Sequence, residues 1–271
     1  MVMRLQNPGG ADDALATVRQ VKDQLWNARV QGNNAADRKN AFLTWCDQWA
    51  TPQLGNHFPA SEDLFGELAD SFHRVVQTPQ LSERELNMLM ARECKEWDAR
   101  LERLIGEIQG RLAFLARPGR LVVLDTSALM EGVFFTGFDW HLLDPSLRGD
   151  AVRLVVPSLV VEELDDLKRD RDGRKKAKAR RVLTALWDLH RTAPAEPAAL
   201  PGRADVTIEV LLDDGWHRRM PNNDGEIIDQ ALSLRDAAGQ PVILAAGDYT
   251  QLYRAAPAGL AAILMPRPDE A

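Results

Sequence analysis

Beyond Arg117 the chain exchanges one hydrophobic period for another, and that exchange limits the folds open to it. Residues 11 to about 116 carry apolar side chains at three- and four-residue spacing with few β-branched runs, the pattern of helices. "RPG" at Arg117 to Gly119 interrupts it. Short apolar runs then alternate with helical patterns: "RLVVLD" ending at Asp125, "RLVVP" at Arg153 to Pro157, "DVTIEVLL" at Asp205 to Leu212, "PVILAA" at Pro241 to Ala246 and "LAAILM" at Leu260 to Met265. Strands separated by amphipathic helices imply a mainly parallel sheet covered on both faces. The expected organisation is therefore α/β, with an all-α N-terminal region over residues 1–117 and a sheet domain over residues 120–267.

Within the helical region, Ser82 and Glu85 form a capping-box signal for a long helix carrying Leu86, Leu89, Trp97 and Leu101. Trp26, Trp45, Trp49 and Trp97 are read as helix-packing anchors. "APAEPAALPG", Ala193 to Gly202, reads as a connector.

Composition excludes several classes. Cys46 and Cys94 lie far apart and form no C-x-x-C pair, which fits a reducing compartment and core packing rather than a thiolate metal site. The N-terminus lacks a signal pattern and no apolar run approaches the roughly 18 residues of a membrane span, so the expected location is cytoplasmic, with no membrane partner. His57, His73, His141, His190 and His217 show no paired-ligand spacing and are read as structural or surface residues. The net charge of −7 is unevenly spread: Lys168 to Arg181 holds nine basic and two acidic residues. That reversal marks a place for an anionic ligand, although a solvated helix face carries charge in the same way.

Four acids stand out by position. In open α/β sheets, ligands collect at the carboxyl ends of the strands. Asp125 closes the first strand there, where an aspartate also serves as a helix cap. In "PSLVVEELDDLK" the apolar stripe runs Val160, Leu164, Leu167, and Glu163 lies about 60° from Val160 on its rim, whereas Glu162, Asp165 and Asp166 point to solvent. Asp224 sits one turn before the core-facing Ile227, Ala231 and Leu234, a position that also suits a first-turn acid, while Asp229 faces away. Asp248 follows the fourth strand, with Gly247 read as the residue that allows the tight turn. Crowded carboxylates repel unless a cation neutralises them, and oxygen ligands without histidine or cysteine suit Mg²⁺ or Mn²⁺.

With "LVVLDTSAL", "VVPSLVVEELDDLK", "NDGEIIDQAL" and "VILAAGDYTQLYRAAPAGL" in this order, residues 120 to about 267 resemble a PIN domain, a metal-dependent ribonuclease fold. The resemblance implies a five-stranded parallel sheet and an acidic cluster binding Mg²⁺ or Mn²⁺. It also implies hydrolysis of RNA phosphodiesters, with Asp125, Glu163, Asp224 and Asp248 as catalytic residues and metal ligands. One position departs from the family pattern: where members often carry Ser or Thr two residues before the fourth acid, this chain has Ala246.

RNA contacts are expected from Arg174, Lys175 and Lys178, with Ala179, Leu183, Leu186 and Trp187 forming the inner face of the same helix. In "DDGWHRRMPNN" Trp216 is placed to stack on an unpaired base or to plug the loop, and Arg218 and Arg219 to contact phosphate. Further expected partners are a protein bound through the N-terminal helices and a second copy of the chain in a homodimer. Two other functions compete. A PIN-like module that binds RNA or protein without cutting is favoured by Ala246 and opposed by the four acids. A phosphatase of the haloacid dehalogenase type needs a second aspartate where Ser127 stands.

Overall fold

The computed structural model describes residues 10–31, 34–58, 62–77, 81–132, 134–192, 197–213 and 219–267. The chain divides into two compact units, one ending at Ala116 and the other beginning at Arg117.

The first unit is helical: α1 (Gly10–Val30), α2 (Ala35–Thr44), α3 (Thr51–His57), α4 (Glu62–Val76) and α5 (Glu83–Leu115), with a π-helical stretch, Trp45–Ala50, between α2 and α3. The capping box at Ser82 and Glu85 is formed, and it opens the 33-residue α5. Trp45 and Trp97 are buried and meet edge to face at 5.8 Å between ring centroids. Each indole N–H finds an acceptor, Val21 O and Ser71 Oγ respectively, both at 2.9 Å. Trp49 is half-buried, and Trp26 is 59% exposed rather than an anchor. Cys46 and Cys94 are buried, and burial pushes both thiols up, Cys94 to about 11.

The second unit is built on β1 (Arg120–Leu124), β2 (Val152–Pro157), β3 (Ala198–Leu200), β4 (Arg203–Leu211), β5 (Val242–Ala246) and β6 (Ala261–Leu264). The spatial order is β3-β4-β2-β1-β5-β6. All pairings are parallel except β3 with β4. The five expected strands thus gain a short antiparallel sixth at the edge. It lies inside the stretch read as a connector, and at three residues it is too short for alternation to reveal.

β2 and β5 are buried along their whole length, as strands covered on both faces must be. The covering helices are α6 (Thr126–Glu131), α7 (Ser158–Leu167), α8 (Gly173–Thr192), α9 (Asn223–Ala238) and α10 (Tyr249–Ala255). Val160 and Leu164 of α7, Ala179, Val182 and Leu186 of α8, and Ile227, Ala231 and Leu234 of α9 fill the core. Trp187 departs from its expected inner face and is 62% exposed. No described helix is long and apolar enough to cross a membrane.

Candidate metal centre

β1 lies between β2 and β5, so the connection leaves β1 in one direction and returns on its other side. Ligand crevices open beside such a reversal, at the carboxyl ends. Asp125 and Asp248 emerge from adjacent strands there, with Leu124 opposite Ala245 and Asp125 N donating to Ala245 O at 3.0 Å.

Asp125 is buried, 4% exposed, and its carboxylate caps α6. One oxygen accepts from the backbone N–H of Ser127 at 3.1 Å and from the Ser127 hydroxyl. The other accepts from the Gln251 amide at 3.3 Å. Burial raises its pKa, and these neutral donors only partly offset that shift. The cap and the crevice position are therefore both realised by one residue.

The remaining acids hang on the same framework. Ser127 Oγ also accepts from Gly247 N at 2.8 Å, next to Asp248, whose side chain caps α10 through Gln251 N at 3.1 Å. Thr126 donates its hydroxyl to Glu163 on α7, and Asn223 donates to the other Glu163 oxygen at 2.6 Å. Asp224 follows Asn223 at the start of α9 and is paired with Arg254 of α10, which also donates to Asn222 Oδ1 at 3.1 Å. A single chain of hydrogen bonds and adjacent residues thus runs from Asp248 through Ser127, Asp125, Thr126, Glu163 and Asn223 to Asp224.

Gly247 is required here for close approach rather than for a tight turn. A Cβ on it would lie 2.2 Å from Ser127 O and 2.5 Å from Ser127 C, while its φ is not among the positive values. Ser127 Oγ stands between the first acid and the residue before the fourth, donating to Asp125 and accepting from Gly247 N.

Among the described residues, no three acidic, histidine or cysteine side chains gather as ligands of one ion. The donor chemistry nevertheless fits a hard divalent cation: oxygen donors only, around a buried carboxylate whose described partners are neutral. Gln251 adds a buried Oε1 without a hydrogen-bond partner, on the same amide that donates to Asp125.

The sequence matches the family described as PIN domain over residues 122–265, more than half of the chain. The chain belongs to the PIN domain family. No curated protein matches it. Membership places the second unit in a nuclease-like superfamily whose members are generally dependent on divalent metal.

The residues expected to meet RNA separate into distinct environments around the PIN domain. Arg174 and Lys175 are exposed on the first turn of α8. Lys178, expected at the surface, is half-buried, donates to Gly132 O at 3.3 Å, and has its pKa lowered by burial. Arg219 is held by Glu162 and Asp213, and its pKa is raised by these carboxylates, with the Glu162 bond the larger cause. Glu162 is exposed, as expected, and pairs there with Arg219. Trp216 and Arg218 lie outside the described residues. Thr126, Ser127, Asn223, Gln251 and Arg254 were not singled out as site residues in the sequence. Only the hydroxyls following Asp125 gave a local signal.

Proposed function

We propose that the PIN domain is a Mg²⁺- or Mn²⁺-dependent endoribonuclease that hydrolyses RNA phosphodiesters. The observation that supports this reading most strongly is the hydrogen-bonded edge on which Asp125, Glu163, Asp224 and Asp248 stand in sequence with their orienting side chains.

In this reading Asp125 and Asp224 are the principal metal ligands, and Glu163 and Asp248 complete the site directly or through water. The chemistry such an ion supplies when bound is acidification of water and neutralisation of phosphoryl charge. The rest falls to the chain's own residues. Ser127 and Gln251 fix the two oxygens of Asp125, and Thr126 with Asn223 fixes Glu163, so that neither carboxylate must reorganise as charge develops. Arg174 and Lys175 hold the phosphate backbone by charge. Lys178 contributes less, because its ammonium already serves Gly132 O. Trp216 stacks on an unpaired base and Arg218 contacts phosphate, while Arg219 is assigned to tying its own segment to Asp213 and Glu162.

The test is cleavage of fluorescent single-stranded and hairpin RNAs with Mg²⁺, Mn²⁺ or EDTA, alongside Asp125→Asn. Asparagine can keep the cap on α6 but not the charge. Metal-dependent cleavage that disappears in the variant is expected. A wild type that binds RNA and leaves it intact with every metal rejects the nuclease. The second reading, a PIN-like module that binds without cutting, would then stand, favoured by the pairing of Asp224 with Arg254.

A further inference from the structure

Of the four acids, Asp224 is held differently. Among the described contacts, Asp125 and Glu163 accept from hydroxyl and amide groups, and Asp248 accepts from a backbone N–H. Asp224 is paired with a guanidinium, that of Arg254, which reaches across from α10 to the first turn of α9. The same guanidinium donates to Asn222 Oδ1, the oxygen that caps α9 through Gly225 N at 3.0 Å.

We infer that Arg254 is an internal counter-ion that competes with the divalent metal for Asp224 and holds the site in a metal-free arrangement until the ion displaces it. This rests on the nuclease reading of the same edge.

Exposure decides whether such a latch can open. The Arg254 and Asp224 side chains are 45% and 41% exposed, so solvent screens the pair and water is at hand to receive the guanidinium. A buried pair would hold Asp224 permanently. This one yields to an ion of twice the charge. Arg254 is thus a positioning residue, acting on the metal site through Asp224.

The experiment is Mn²⁺ binding to the full-length protein, followed by electron paramagnetic resonance of the free ion and by the Mn²⁺-induced shift in thermal unfolding. Wild type is compared with Arg254→Gln, Arg254→Lys, Arg235→Gln and Asp125→Asn. Removing a competing exposed ion pair should tighten Mn²⁺ binding by about threefold to fivefold in Arg254→Gln. Arg254→Lys, which keeps the charge, should fall between Arg254→Gln and wild type. Arg235→Gln removes the same unit charge from the far end of α9 without touching an acid of the site, and should change nothing. Binding by Arg254→Gln that is equal to or weaker than wild type overturns the inference, as does an equal gain in Arg235→Gln. In both cases, loss of Mn²⁺ binding in Asp125→Asn leaves the metal-site reading standing. If neither wild type nor Arg254→Gln binds Mn²⁺, that reading falls and the inference with it.

Discussion

Thr126 donates its hydroxyl to the carboxylate of Glu163, tying the residue that follows the first acid to the helix that carries the second. The tie crosses from α6 to α7, and Asn223 of α9 grips the other oxygen of the same carboxylate. Thr126→Val keeps the shape and removes the donor. Because Glu163 is only half-buried, water can replace the lost bond, and unfolding free energy should fall by no more than about 1 kcal/mol. A misdirected carboxylate costs more in the transition state, and a loss of about 1.4 kcal/mol there slows cleavage about tenfold. Single-turnover cleavage beside thermal unfolding separates the effects. Equal losses in both would make Thr126 merely structural.

Gly247→Ala tests why glycine precedes the fourth acid. The added Cβ would meet the backbone of Ser127, which cannot swing aside as a side chain can. The substitution should therefore destabilise by about 1–3 kcal/mol, the range for overpacking a tight site. It should also separate Gly247 N from Ser127 Oγ and lower cleavage. Urea unfolding and cleavage together check this. A variant as stable as wild type would mean that the approach of the two segments is not required.

The acids were legible because strand ends and helix faces follow from period alone. Asp125 comes straight after an apolar run and Asp248 one glycine after another, and Asp224 keeps helical spacing with Ile227 and Ala231. Their holders were not legible, since Gln251 meets Asp125, and Arg254 meets Asp224, across separations fixed only by tertiary packing. Trp187 was misplaced for a geometric reason: it lies about 80° from Ala179 around α8, at the margin of the buried stripe. Ala179 and Leu186 take the centre of that stripe and are buried. Glu162 reads as solvated and Arg219 as a phosphate contact, and nothing local in the sequence announces that they pair with one another.

His141 supplies a pH dependence remote from the acids. Its Nδ1 lies 2.8 Å from Leu147 O and its Nε2 2.7 Å from Asp205 Oδ2, an arrangement in which both nitrogens donate only when the ring is protonated. The Leu147 carbonyl, and then Asp205, raise its pKa. The fold therefore favours the protonated ring. Its contribution is complete below the ordinary histidine pKa of about 6.5 and is lost as pH rises through the higher folded value. Urea midpoints across that range should fall for wild type by more than for His141→Gln. Parallel curves for the two proteins would reject the assignment.

Arg174, Lys175 and Lys178 share a helix but differ in what their charges can do. Arg174 and Lys175 stand exposed on the first turn of α8, where phosphates can approach them. Lys178 is half-buried against Gly132 O, and burial lowers its pKa, so a phosphate would have to draw the ammonium away from an existing partner. Each phosphate contact on a single strand contributes about 0.7 to the slope of log affinity against log salt concentration. Arg174→Gln and Lys175→Gln should each lower that slope by about this amount and weaken binding to all sequences alike. Lys178→Gln should leave the slope nearly unchanged and act chiefly on stability. Fluorescence anisotropy of a single-stranded RNA with the Asp125→Asn background, titrated over a range of salt concentrations, measures all three. A slope that falls only with Lys178→Gln would place the RNA track against α6 instead of along the open face of α8.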